Sequence, residues 1–78
     1  MNVARHPIKI SYDPEVDAAY LYLSEDAHHG FTYPFVIPDI AGDIILDFDL
    51  DNRLMGIEVL SASNVLPPAL LVAEKKVL

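Results

Sequence analysis

Ile8, Ile10 and Tyr12 alternate with Lys9 and Ser11. That is the two-residue period of a strand with one buried face. Asp13-Pro14-Glu15-Val16-Asp17 interrupts the alternation. Proline presets one turn torsion and aspartate bonds nearby amides, so this stretch reads as a turn. Residues 18–24 resume as a strand rich in Tyr and Leu. Folded on that turn, the two strands set Tyr12 opposite Ala19, Ile10 opposite Leu21 and Ile8 opposite Leu23. One face is then apolar, and Tyr20 and Tyr22 point to the other.

Residues 25–30 read as a loop. Residues 31–37 are aromatic and β-branched but include Pro34, with Pro38 following. Proline cannot donate to a ladder, so this segment is an edge strand or an extended arm. Residues 43–60 form the strongest local pattern. With Asp51-Asn52 as a two-residue turn, the pairs are Phe48 with Met55, Leu46 with Ile57 and Ile44 with Val59. All six are apolar and share a face. Asp43, Asp47, Asp49 and Glu58 occupy the other, with Ile45 and Leu54 between. A one-residue slip would put Asp47 and Asp49 beside the core residues of the partner strand, so the register is well specified. Pro68 suits the first turn of a helix, residues 69–76 are mostly good helix formers, and Lys75 and Lys76 suit its C-terminus. The expected fold is α+β and β-rich, an antiparallel set of hairpins or meander of about five strands with a short C-terminal helix over 68–77.

Length and composition sharpen this picture. The chain has 78 residues and no cysteine, so one domain spanning 1–78 is expected, without disulfides or thiolate metal sites. Its hydrophobic share is 53%, more apolar side chain than one small core covers, so self-association is expected, by default as a homodimer. The formal charge is −7, from 12 acidic and 5 basic residues. Such a surface repels phosphate backbones and anionic lipids, which argues against nucleic acid and favours a basic protein partner. Residues 1–7 hold no apolar signal segment, and the uncharged run over 59–73 is too short to span a bilayer. A soluble, cytoplasmic protein with no membrane contact is expected.

Two phrases carry a resemblance. The first is Tyr12-Asp13-Pro14-Glu15-Val16-Asp17-Ala18-Ala19-Tyr20-Leu21-Tyr22-Leu23. The second is Ile45-Leu46-Asp47-Phe48-Asp49, leading through Arg53-Leu54-Met55-Gly56-Ile57-Glu58-Val59-Leu60-Ser61-Ala62-Ser63. Together they resemble the small prokaryotic domain-of-unknown-function family numbered 2283, over most of residues 8–63. Asn52 stands where that family often has glycine. The resemblance implies a β-rich domain and no assigned activity. Some relatives are encoded beside small toxin-like proteins, which implies an antitoxin-like binding role.

Several residue groups invite chemistry. Asp47, Asp49 and Asp51, with Glu58 twelfth in the run, match the spacing of a calcium-binding EF-hand loop, although Asn52 replaces its glycine. That loop needs flanking helices, whereas the flanks here are strand-like. Along a hairpin, Asp51 and Glu58 would lie roughly 20 Å apart. A turn is the simpler reading, and no metal or other cofactor is expected. Asp47 and Glu58 would be diagonal neighbours on one face, and such a pair can exchange protons or hold a hard cation. A solvated acidic face is the simpler reading, because the sequence places no nucleophile or third ligand beside them. Asp13, Glu15 and Asp17 suit turn chemistry, with an acidic patch for a basic partner as the rival. His28-His29 point oppositely on an extended chain, and His6 has no visible partner. Phe31, Tyr33 and Phe35, with Leu70 and Leu71, are the expected oligomer contacts. No phosphate loop, nucleophile elbow or dinucleotide fingerprint is present. The leading expectation is a non-enzymatic interaction module. The alternative is a small hydrolase-like or metal-dependent enzyme using Asp47 and Glu58. An open pocket around that pair would favour the enzyme, and a flat acidic face would favour the module.

Overall fold

The structure, a computed structural model, describes residues 2–25 and 28–72. Five strands are present: β1 (Lys9–Asp13), β2 (Ala18–Tyr22), β3 (His29–Phe35), β4 (Asp43–Asp49) and β5 (Leu54–Leu60). They form one antiparallel sheet in the order β1-β2-β5-β4-β3. This is a β1–β2 hairpin joined edge to edge to a three-strand meander of β3, β4 and β5. Strand β3 lies at the far edge, so β2, β5, β4 and β3 are arranged as a Greek key. The link from β2 to β3 passes the β4–β5 hairpin tip, where Leu50 N donates to His28 O at 3.2 Å.

The alternation read from the sequence becomes rows across five strands. On one face, Ile10, Leu21, Ile57, Leu46 and Tyr33 stand side by side, and so do Tyr12, Ala19, Val59, Ile44 and Phe35. No charged residue enters either row. On the other face the rows are Lys9, Tyr22, Gly56, Asp47 and Thr32, then Ser11, Tyr20, Glu58, Ile45 and Pro34. The apolar rows are what drive the sheet to fold, because strand side chains alternate strictly between faces.

The first hairpin pairs Tyr12 with Ala19 and Ile10 with Leu21 as expected. Its ladder stops one pair short of Ile8 and Leu23, and Leu23 N donates to Met55 O at 3.0 Å on the side of β5. In the second hairpin, Ile44 pairs with Val59 and Leu46 with Ile57 as expected. Phe48, however, pairs with Leu54 and not with Met55, after a register shift. The loop explains it. Asp49 N donates to Arg53 O at 2.9 Å, so the loop is the three residues Leu50, Asp51 and Asn52. Asn52 alone among them has positive φ, at 63°. Such a loop moves the register by one residue, and the bulge at Met55 moves it back. The apolar rows below the bulge keep their partners because burial of that face outweighs one lost ladder pair. Strand β3 is an edge strand that accommodates Pro34, and it starts earlier than expected, with a register shift between His29 and Phe31.

Beyond β5 the chain folds back over the apolar face. A 3-10 turn at Ala62–Asn64 and a second at Pro68–Leu70 are its only regular pieces among the described residues. The expected helix over 68–77 is therefore one 3-10 turn as far as residue 72, and the rest of that segment lies outside the described residues. Leu70 and Leu71 donate their amides to Pro67 O and Pro68 O, which are three-residue spacings. Ala62 is fully buried between Ala19 and Val59, with Leu66 and Leu71 packed around them. Among the described residues no helix is long and apolar enough to cross a membrane.

Candidate functional site

The polar face gathers the chemistry. Asp47 on β4 and Tyr20 on β2 are separated by β5, yet the Tyr20 hydroxyl donates to Asp47 Oδ2 at 2.5 Å. Gly56 makes that reach possible. A Cβ built there would lie 2.1 Å from the Tyr20 oxygen. The tyrosine ring thus crosses β5 in the space that any other residue would fill. Asp47 retains 9% of its exposure, and the phenol satisfies it. Burial pushes the Tyr20 phenol up to about 12, with its bond to Asp47 and the nearby Tyr22 and Glu58 adding to the shift.

Glu58 lies directly opposite Tyr20 and diagonal to Asp47. The two carboxylates expected to pair are thus neighbours, but a tyrosine proton is committed between the strands. A phenol held at so high a pKa is a poor base or nucleophile at neutral pH. Of the two carboxylates, Glu58 is half-buried and Asp47 is buried. The sequence sets Tyr20 and Tyr22 together on the polar face, but it does not join them to Lys9 across the sheet. Gly56, a bare position inside a strand opposite Asp47, is the signal that a side chain can cross β5 there.

The EF-hand spacing is not used as such. Asp49 Oδ1 accepts from Asp51 N at 2.8 Å and Arg53 N at 2.9 Å, which holds the hairpin tip. Asp47 and Glu58 sit on separate strands away from it. Among the described residues no group of three or more His, Asp or Glu gathers at ligand distances.

At the opposite end of the sheet, the turn acids behave unequally. Asp13 Oδ1 accepts from Glu15 N at 2.9 Å, and Glu15 is exposed. Asp17, with φ 51°, accepts from the Tyr12 hydroxyl at 2.8 Å, from Ser63 N at 3.0 Å and from Ser63 Oγ at 2.6 Å. It pins the returning tail to the first turn. The Ser63 hydroxyl, followed by Tyr12, holds the Asp17 carboxyl below its usual value, and Tyr12 is raised in turn by its bond to Asp17.

The expected oligomer contacts divide as well. Phe31, Tyr33 and Phe35 are 44%, 58% and 49% exposed, on the β3 side of the apolar face. Phe31 stacks on Phe48 with ring centroids 4.9 Å apart. Leu71 packs on the chain's own core, whereas Leu70 stays exposed.

With the paired phrases now seen as the β1–β2 and β4–β5 hairpins, residues 9–63 match the family described as protein of unknown function, DUF2283. The chain belongs to that family. The matched span takes in all five strands and stops at Ser63, the residue that binds Asp17. For this DUF2283 chain no curated protein and no solved structure matches.

Proposed function

We propose that this chain is a non-enzymatic protein-interaction module, one cytoplasmic domain that acts as a homodimer or higher homo-oligomer in an antitoxin-like role. The observation that carries the reading is the half-covered apolar face. The tail shields the β1, β2 and β5 portion, while Phe31, Tyr33 and Phe35 on β3 remain open beside half-buried Ile44, Leu46 and Phe48. The occupant we assign to the open half is a second copy. Each copy carries a charge of −7, and neither apolar row bears a charge, so two copies can meet there without opposing like charges. Pro34 interrupts the β3 edge, which favours packing face on face over strand addition. The commitment of Tyr20 to Asp47 speaks against the alternative of a hydrolase-like or metal-dependent enzyme using Asp47 and Glu58. The acidic surface, including Asp13 and Glu15, favours a basic protein as the further partner.

Sedimentation at micromolar concentration tests the assembly. The wild type should run as a dimer or larger. Tyr33→Asp and Phe35→Asp should run as folded monomers, since each places an unpaired charge in the contact. A wild-type monomer with high thermal stability would overturn the reading.

A further inference from the structure

On the polar face, a concavity of about 580 Å³ opens beside the Tyr20–Asp47 bond. It is lined by Lys9, Tyr20, Tyr22, Ser24, Glu25 and Met55. Tyr20 and Tyr22 pack against each other as one aromatic wall, with ring centroids 4.7 Å apart and planes tilted by 56°. Tyr20 is fixed from behind by its bond to Asp47. A phenol that donates to a carboxylate leaves its ring richer in electrons, which strengthens the attraction of its face for a cation. Glu25 supplies a carboxylate on the lining. A second observation points to what the cleft takes. It already holds a cation, since the Lys9 ammonium lies 5.7 Å from the centre of the Tyr22 ring.

We infer that the Tyr20–Tyr22 cleft is a docking site for a single arginine side chain of a basic partner protein, with Lys9 as the resident cation that the arginine displaces. The site rests on the reading of the chain as an interaction module and places the basic partner on this face of the sheet rather than at the first turn. Arginine suits it better than lysine because a planar guanidinium stacks on an aromatic wall while its edge can bond Glu25 on the lining. The open β3 half of the opposite, apolar face is left for a second copy.

The probe is a blocked pentapeptide, acetyl-Gly-Arg-Gly-Arg-Gly-amide, titrated into the full chain and followed by the tyrosine ring resonances. Its counterpart carries citrulline in place of both arginines, which keeps the shape and removes the charge. The arginine peptide should shift the Tyr20 and Tyr22 signals. The citrulline peptide and the Tyr22→Leu variant should each weaken binding about fivefold, the size of an exposed cation–π contact. Tyr22→Phe, which keeps the ring, should bind as the wild type does and so separates loss of the ring from loss of the fold. Lys9→Gln should bind about threefold more tightly, because the resident cation is gone. Equal binding of the citrulline peptide, unchanged arginine binding in Tyr22→Leu, or weaker binding in Lys9→Gln would each overturn the site. Sedimentation of the same samples keeps the two readings apart. A monomer that still binds arginine would remove the assembly and leave the cleft, and a dimer indifferent to arginine would do the reverse.

Discussion

Tyr20, Asp47 and Gly56 act as one unit, each needing the other two. The phenol is favoured in its protonated form, because its pKa rises from 10.0 to about 12. A group raised in this way contributes its stability in full below the unfolded value and loses it as pH climbs through the folded one. The fold should therefore weaken between pH 10 and about 12. Tyr20→Phe should flatten that alkaline limb and cost about 1–2 kcal/mol at neutral pH, since it leaves Asp47 without its partner. Urea unfolding across pH checks both. Gly56→Ala should displace the ring and return the phenol toward 10, seen as earlier absorbance change on alkaline titration. An unchanged titration would mean that the ring does not lie over β5. Asp17 works in the opposite sense. Its pKa is lowered from 3.8 by Ser63 and Tyr12, so its contribution is present above that value and fades as pH falls below it. Ser63→Ala should raise the midpoint of acid unfolding, read by circular dichroism.

At the level of the element, the β4–β5 hairpin shows how a loop and a bulge compensate. Asn52 has φ 63°, in the left-handed region that β-branched residues resist. Asn52→Gly should be neutral or slightly stabilising, and Asn52→Val should cost roughly 1–2 kcal/mol. Thermal melts of the two variants test this, and equal melting temperatures would refute the strained loop. The same geometry bears on metal. The Asp49 carboxylate is occupied by backbone amides, and Asp47 and Glu58 lie on neighbouring strands facing Tyr20. Millimolar calcium should leave the melting temperature where magnesium leaves it. A rise of several degrees with calcium alone would show a site that this hairpin does not provide.

For the whole molecule, a single sheet that the described residues cover over one half is an incomplete sandwich. Only Ala19, Val59 and Ala62 are buried apolar residues among those described, a small core for a chain with 53% hydrophobic residues. Stability should therefore depend on protein concentration, as it does wherever folding and association are linked. The melting temperature should rise with concentration in the wild type and stay flat in Tyr33→Asp. Leu71→Asp differs in kind. It strikes the intramolecular core, so it should lower stability at every concentration rather than only the tendency to associate.

Local chemistry was readable from the residues alone. The period of two along β1, β2, β4 and β5, the turn at Asp13–Asp17, the edge position forced on β3 by Pro34 and the pairing of Leu46 with Ile57 all follow from neighbours in sequence. Side-chain alternation and turn torsions are short-range properties, so a linear pattern carries them. The tertiary structure decided what distant segments do to one another. It set β2 beside β5, folded the tail over Ala19 and Val59, and turned the expected helix start into a 3-10 turn. It also placed a bulge at Met55 and brought Tyr20 across Gly56 to Asp47. Each of these depends on which strands meet, and contacts between residues far apart in sequence leave no period along the chain to read.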